Sequence, residues 1–202
     1  MVIPREPLDK TQGYGHEWNR VGLRRDYTRT PQITKVYLLG LLHDATVRKT
    51  TYRIATKNNF FALILMQGIK KFGQGAWIYK EGKNRNLWIV EFSKSLLKNS
   101  GVMSTQDKVD YVRGFFDAEG GIAKSNKVNF YIYFCQKNKD KLLVLKGYLT
   151  DLEIQTGIIH NPSRKVDPNY WRFYIKARSF RDFSLIVSSN HPEKFPLLWK
   201  KI

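Results

Sequence analysis

The chain has 202 residues, 42% of them hydrophobic and 14% aromatic, which is enough to bury a sizeable core. Its 35 Lys and Arg residues against 17 Asp and Glu residues give a net charge of +18, which favours a polyanionic partner. No apolar run approaches the ~20 residues of a membrane span and residues 1–10 lack a signal-peptide core, so we expect an intracellular protein, in the cytoplasm, nucleoid or an organelle matrix, with no membrane partner.

Residues 1–33 differ in composition from the rest of the chain. They combine prolines and glycines with several arginines and show no regular spacing of apolar residues. This composition predicts an irregular basic N-terminal arm that could include a short helix. A disordered tail has the same signature.

The first predicted repeat occupies residues 34–104. Thr34 is a candidate N-cap for a helix through Leu42, and Asn58 is a candidate N-cap for a second helix, which Gly73 ends. Alternation of apolar and polar residues predicts strands at 50–56, 76–80 and 86–92. Ser93 then opens a further short helix.

The second predicted repeat, residues 105–202, follows the same order. Apolar spacing predicts helices from Thr105, over 138–152 and from Ser179, with strands at 122–124, 128–136, 156–160 and 170–176. The single cysteine, Cys135, excludes an internal disulfide and a cysteine-rich zinc site. Its neighbours Tyr-Ile-Tyr-Phe predict an inert position in a buried strand.

The two halves also align by residue type. Residues 37–40 (Tyr-Leu-Leu-Gly) match residues 111–114 (Tyr-Val-Arg-Gly), and 56–58 (Thr-Lys-Asn) match 136–138 (Gln-Lys-Asn). The second offset is larger, and the extra residues fall in a hairpin, where insertions are tolerated. A duplicated unit this short buries its core only against its twin, so we expect the chain to be a monomer.

The most informative string runs from Gly114 to Gly121 (Gly-Phe-Phe-Asp-Ala-Glu-Gly-Gly). Gly114 leaves room for a second helix backbone, and the final glycines favour the end of a helix. The string therefore predicts carboxylates at a helix C-terminus, where the helix dipole disfavours negative charge. A compensating cation, either a metal ion or a lysine, is expected nearby.

Two motif copies resemble those of the single-chain LAGLIDADG homing endonucleases. Residues 38–46 (Leu-Leu-Gly-Leu-Leu-His-Asp-Ala-Thr) are similar to the first copy and residues 112–120 (Val-Arg-Gly-Phe-Phe-Asp-Ala-Glu-Gly) to the second. The resemblance implies an α+β fold of two αββαββα repeats related by a pseudo-twofold axis. The motif helices meet at Gly40 and Gly114, and two antiparallel four-stranded sheets form a saddle for double-stranded DNA with a long recognition site.

The resemblance also implies chemistry. One acid per repeat would hold Mg²⁺, or another divalent metal such as Mn²⁺, for hydrolysis of a phosphodiester in each strand. Glu119 occupies the acid position of the second copy, whereas Ala45 occupies it in the first and Asp44 lies one residue earlier. One residue turns an α-helix by ~100°. Either a distorted helix end returns Asp44 to the site, or the first half-site is impaired.

Other candidates surround these two acids. The family often has a polar residue beside the catalytic centre, which here implies Gln136, with Thr56 as its counterpart. Lys124, shortly after Glu119, could neutralise charge on the phosphate, or could be an ordinary surface lysine. His43 is a weaker metal-ligand candidate, since a lone histidine near an interface is more often structural.

Strand alternation gives each sheet one face for helices and one for DNA, and basic residues crowd the predicted turns of both repeats. A single lysine in such a turn could equally be a solvated surface charge. The predicted DNA-binding residues are Arg48, Lys49, Thr51, Arg53, Lys57, Lys80, Lys83, Arg85, Lys127, Tyr131, Tyr133, Lys137, Arg164, Lys165, Arg172 and Lys176.

Three functions are compatible with these patterns. The favoured one is a site-specific DNA endonuclease. The second is a cleavage-impaired relative that acts as a nickase, an RNA maturase or a DNA-binding factor, which Ala45 and the basic arm would suit. The third is a basic RNA-binding protein whose motifs are coincidental.

Overall fold

The computed structural model describes residues 31–82, 85–125 and 127–199, together with the backbone of residues 17–18 and 24–25. Those last two pairs form short antiparallel strands, β1 (Glu17–Trp18) and β2 (Arg24–Arg25). The remainder of the predicted basic arm up to residue 30 lies outside the described residues.

The first half is built on two capped helices and one antiparallel sheet. The Thr34 and Asn58 side chains accept hydrogen bonds from the first-turn amides of their helices, so both predicted N-caps are confirmed. The predicted helix after Ser93 is a short 3-10 turn, Lys94–Leu97. The main elements are α1 (Lys35–Leu41), a 3-10 turn (Leu42–Asp44), β3 (Ala45–Val47), β4 (Thr51–Thr56), α2 (Asn59–Lys70), β5 (Ala76–Lys80) and β6 (Trp88–Ser93).

The second half repeats this order with a longer motif helix. Ser104 and Asp107 form a capping box at its start, and Asn138 caps the next helix. Beyond the sheet, a single helical turn passes directly into a π-helical turn, Phe183–Val187. The elements are α3 (Thr105–Glu119), β7 (Gly120–Ile122), β8 (Ile132–Gln136), α4 (Lys139–Asp151), β9 (Trp171–Tyr174), α5 (Phe180–Asp182) and α6 (Lys194–Trp199).

The two sheets are antiparallel but unequal. The first has four strands in the order β3-β4-β6-β5, as predicted, and the second has three, in the order β7-β8-β9. The prediction of a second four-stranded sheet is therefore wrong. Residues 156–160 run beside β9 and form hydrogen bonds with it through Gly157 and His160, with isolated bridges at Thr156–Ile175 and His160–Arg172. This pairing is too discontinuous to form a fourth strand.

Helices α1 and α3 pack against each other through a reciprocal glycine contact. A Cβ atom added at Gly40 would lie 2.1 Å from the carbonyl oxygen of Tyr111, and one added at Gly114 would lie 2.0 Å from that of Tyr37. Each glycine therefore admits the backbone of the opposite helix, as the two motif copies predicted. The predicted α+β architecture, with the two motif helices packed together at the centre, is confirmed.

Each half has its own hydrophobic core beside this seam. Tyr37 and Phe92 lie in the first core, and Phe116 and Phe134 in the second, all fully buried. In the described part of the chain, no helix combines the length and the apolar character needed to cross a membrane.

We expect the protein to be monomeric in solution, because α1 and α3 already cover each other's glycine surfaces within one chain. Multi-angle light scattering across a range of protein concentrations would measure this directly. A stable dimer that persists without DNA would contradict the prediction.

Candidate active site

The two candidate acids occupy equivalent positions just before the first strand of each sheet, although they follow Gly40 and Gly114 at different spacings. Ala45 pairs with Ile54 as β3 begins, and Gly120 pairs with Phe134 as β7 begins. Asp44 and Glu119 are each the residue just before that first strand residue. The helix after Gly40 tightens into a 3-10 turn, whereas α3 stays α-helical through Glu119. A 3-10 helix rises further per residue than an α-helix, so the acid of the first copy can follow its glycine by one residue fewer and still reach the equivalent position.

Asp44 and Glu119 lie close enough to influence each other electrostatically. Burial, and then the negative charge of Asp44, raise the pKa of Glu119, while burial raises the pKa of Asp44. Gln136 Nε2 donates a hydrogen bond to Glu119 Oε1 at 3.1 Å. Asp44 as a whole residue is exposed, but its carboxylate is partly enclosed by the cavity at the site and makes no hydrogen bond among the described residues. The structure therefore brings Asp44, Glu119 and Gln136 together.

This pair of carboxylates fits a divalent cation. Two partly desolvated acids that repel each other offer hard oxygen ligands of the kind that Mg²⁺ prefers. A bound cation would offset the unfavourable charge that raises the pKa of Glu119. The described residues contain no group of three or more His, Cys, Asp or Glu side chains around one point.

A second reciprocal contact joins the motif helices below the acids. The Tyr37 hydroxyl donates to Asp117 Oδ2 at 2.7 Å, and the Tyr111 hydroxyl lies 2.6 Å from His43 Nε2. His43 and Asp117 each follow their motif glycine by three residues. Burial lowers the pKa of His43 to about 4, so the ring is neutral at physiological pH. His43 is thus engaged at the helix seam.

The C-terminal segment, residues 188–199, supports the end of α3. Ser189 Oγ and the backbone amide of Asn190 donate to the Asp117 carboxylate, and Lys194 Nζ donates to three backbone carbonyls. The segment also reaches the first half, where Asn58 Nδ2 donates to Glu193. The sequence offered no signal for Lys194, which belongs to a separate helix far along the chain.

The other predicted residues near the acids are dispersed. Thr56 and Lys57 line a cavity of about 250 Å³ that also contains Asp44, His191 and Lys194. Thr56 Oγ1 accepts a hydrogen bond from the Asn58 amide, so it does not reproduce the contact of Gln136 with an acid. Lys124 is exposed and makes no hydrogen bond to the described residues, and its catalytic role stays a prediction.

On the open face of the first sheet, Arg53 is neutralised by carboxylates. Its guanidinium contacts Glu81 at 3.0 Å and Glu91 at 3.7 Å and lies over the Tyr79 ring. Thr51 Oγ1 donates to Glu91 Oε1 at 2.6 Å. Both predicted DNA-facing residues of β4 therefore lie within an internal network.

The open face of the second sheet is aromatic and cationic. The Arg172 guanidinium donates to the hydroxyls of Tyr170 and Tyr174 and lies over the Tyr133 ring at 4.6 Å. Tyr131 is exposed beside Tyr133. No carboxylate contacts Arg172 within the described ranges, so the two sheets present different charges.

Cys135 departs from the sequence prediction. It is only half-buried, and its thiol donates to the carbonyl oxygen of Glu119 at 3.3 Å. Strand alternation puts Cys135 on the same open face as Tyr133, whereas the neighbouring Phe134 fills the core. Burial raises the pKa of the thiol.

The remaining predicted DNA contacts are exposed cations around the sheets. Lys83 is outside the described residues. The exposed residues are Arg48, Lys49, Lys57, Lys80, Arg85, Lys127, Lys137, Arg164, Lys165 and Lys176.

Two motif helices that meet at glycines, with an acid at the end of each and an antiparallel sheet on either side, define a LAGLIDADG-type arrangement. Residues 106–195 match the family model described as a LAGLIDADG-like domain. This match covers slightly less than half of the chain and agrees with the predicted family resemblance. A search of curated proteins found no match.

Solved structures with the same fold cover most of the chain. I-DmoI in complex with DNA and Mn is 20% identical, with a TM-score of 0.56 over 77% of this chain and 96% of that one. The N-terminal LAGLIDADG domain of DUF199/WhiA is 15% identical, with a TM-score of 0.60 over 82% and 91%. Full-length DUF199/WhiA from Thermatoga maritima is 18% identical, with a TM-score of 0.58 over 83% and 57%. These similarities establish the LAGLIDADG fold.

Proposed function

We propose that the protein is a site-specific double-stranded DNA endonuclease that requires a divalent metal ion. The observation that carries this proposal is the pairing of Asp44 and Glu119 at equivalent helix ends, where their charges interact. I-DmoI, a homing endonuclease of the same fold, has been solved with DNA together with Mn or Ca.

The residues of the chain have distinct parts in this proposal. Asp44 and Glu119 would hold Mg²⁺ or Mn²⁺, and a bound ion would supply Lewis acidity toward the phosphodiester. Gln136 fixes the Glu119 carboxylate through its 3.1 Å hydrogen bond. The close contact of α1 and α3 at Gly40 and Gly114 would position the two helix ends that carry the acids.

The sheets would hold DNA by different means in the two halves. Exposed lysines and arginines at the turns suit phosphate contacts, while the open sheet faces suit base edges in the major groove. Arg172, packed among tyrosines, is a preorganised cation on the second face. Arg53 is already paired, so the first face contributes less free positive charge.

The test begins with selection of bound duplexes from a random library. A recovered duplex, placed in a supercoiled plasmid, is then incubated with Mg²⁺ or with EDTA. We expect linear plasmid with Mg²⁺ only. Specific binding without cutting in Mg²⁺ or Mn²⁺ would reject the endonuclease and support a DNA-binding factor. Selection of RNA over DNA would support the maturase.

A strand-selective nickase is the second candidate. It is favoured by the asymmetry of the acids: Glu119 has Gln136 as a partner, whereas Asp44 makes no hydrogen bond among the described residues. Accumulation of open-circular plasmid, with little linear product at long times, would distinguish this function from double-strand cleavage.

DNA affinity should depend steeply on salt. We expect log K to fall against log salt with a slope of about −5 or steeper, because roughly six or more phosphate contacts release counterions. Fluorescence anisotropy with a labelled duplex at several KCl concentrations measures the slope. An unrelated duplex of equal length is the control and should give a comparable slope at lower affinity. A nearly flat plot would contradict the proposed interface.

A further inference from the structure

We propose that Lys194 is a positioning residue that fixes the end of α3, and with it Glu119, so that one half-site has a support that the other lacks. This inference rests on the proposed endonuclease function. It concerns a residue of α6 that lies outside both motif copies.

The contacts of Lys194 converge on the last turn of the motif helix. Its ammonium donates to the carbonyl oxygens of Phe116 at 2.7 Å, Asp117 at 2.9 Å and Gly120 at 2.7 Å. These carbonyls bracket Glu119 on both sides. Phe116 O also accepts the amide of the C-cap Gly120, whereas the last carbonyls of a helix otherwise have few intrahelical partners. A single cation bound to all three carbonyls therefore fixes the backbone from which Glu119 projects.

The number of protons on the Lys194 ammonium indicates whether this residue positions Glu119 or contacts the substrate itself. A lysine ammonium has three protons, and the three carbonyls use all of them. Lys194 therefore has no proton left for a substrate phosphate unless it gives up a backbone contact. The residue acts through Glu119 rather than on the reacting atoms.

Electrostatics explain why this helix end needs a cation. The C-terminus of a helix carries partial negative charge, which disfavours a carboxylate there. Lys194 offsets that charge and also lies within electrostatic reach of Glu119 and Asp44. In the described part of the first half, no side chain donates to the carbonyls of the 3-10 turn before Asp44.

The position of Lys194 is itself fixed by its neighbours. Ser189 and Asn190, a few residues earlier, bind the Asp117 carboxylate, and Asn190 Nδ2 donates to the carbonyl of Gln32. The aliphatic stem packs so that Nζ lies 5.2 Å from the centre of the Phe116 ring. The lysine is thus delivered to α3 by a segment with several independent anchors.

The experiment compares Lys194→Met with the parent on a library-selected duplex labelled at both ends. We expect the strand slowed by Glu119→Gln to be cut about 10-fold more slowly in Lys194→Met, with little change in the other strand. Lys98→Met, a change at an exposed lysine between the halves, is the matched control and should cut both strands at parental rates. Equal slowing of both strands, or no slowing, would overturn the proposal.

Mn²⁺ binding to the protein–DNA complex, followed by electron paramagnetic resonance, gives a readout that does not depend on cutting. Loss of a positive charge alone would tighten Mn²⁺ binding, whereas loss of Glu119 positioning should weaken it by about 10-fold. Weaker binding in Lys194→Met supports the proposal, and unchanged or tighter binding overturns it. This result stands even if the parent cuts neither strand, which would reject only the endonuclease function.

If Lys194→Met folds poorly, Lys194→Arg replaces it. Arginine keeps the charge, but its planar donors do not match three carbonyls around one nitrogen. We expect the strand that depends on Glu119 to be cut about 3-fold more slowly relative to the other strand, an effect between those of the parent and the methionine variant. The melting temperature should not change. An arginine variant that equals the parent in both strand rates and Mn²⁺ affinity would overturn the proposal.

Discussion

Replacement of Gly40 or Gly114 by alanine is expected to lower the free energy of unfolding by about 2 kcal/mol or more, and replacement by leucine by more still. The new Cβ would lie 2.1 Å and 2.0 Å, respectively, from a carbonyl oxygen of the opposite helix. Backbone cannot move aside as a flexible side chain can, so α1 and α3 must separate. Urea unfolding followed by circular dichroism measures the change.

Gly147 provides the matched control. It lies within helix α4, and a Cβ added there meets no atom within 4 Å. Gly147→Ala should therefore stabilise the protein by about 0.5–1 kcal/mol, because alanine loses less backbone entropy in a helix. If alanine at Gly40 and Gly114 were tolerated as well as at Gly147, the helix seam described here would be incorrect.

Asp44→Asn and Glu119→Gln are each expected to reduce cleavage by roughly 100-fold or more, equivalent to about 2.7 kcal/mol of transition-state stabilisation. Each amide keeps the shape of the acid but removes the negative charge that would hold the metal. DNA affinity should change little, because the sheets carry most of the proposed contacts. Single-turnover assays on doubly end-labelled DNA, paired with anisotropy binding measurements, test both statements.

Protein stability supplies an internal control for these two variants. Because the pKa of each acid is raised in the folded state, its ionised form destabilises the fold above that pKa, and the cost disappears as the pH falls. The neutral amides should therefore unfold at the same temperature as the parent or slightly higher at pH 7. Parental cleavage by Asp44→Asn would reject the role of Asp44. Parental cleavage by both variants would reject the endonuclease proposal.

Local sequence signals predicted most of the elements correctly. The N-caps at Thr34 and Asn58, the strand at 76–80 and the start of α3 at Thr105 all depend on short-range patterns that the structure reproduces. The prediction of a fourth strand in the second sheet was wrong. Residues 156–160 have a strand-like sequence, but they form only two isolated bridges to the sheet. Strand formation depends on such long-range partners, which a local pattern does not report.

Only part of the candidate active site could be predicted from the sequence. Residue spacing put Ala45 at the acid position, and only the sheet register shows that Asp44 and Glu119 precede equivalent strand residues. The shift arises from a 3-10 turn, which leaves no distinctive composition. Lys194 was missed for a different reason: it reaches α3 from a separate helix, and its partners are backbone carbonyls, which carry no sequence signal.

The anchoring of α3 by residues 188–199 has a consequence for protein synthesis. Chains emerge from the ribosome N-terminus first, and domains begin to fold as they emerge. The buried residues of the first core all lie between Tyr37 and Leu97, so they can begin to pack early, although Ala118 of α3 later covers part of this core. Asp117 and the carbonyls around Glu119 must wait for Ser189, Asn190 and Lys194, which are translated much later. In a nascent chain, the arrangement of Asp44 and Glu119 is therefore expected to be completed last, after the C-terminal segment has been synthesised.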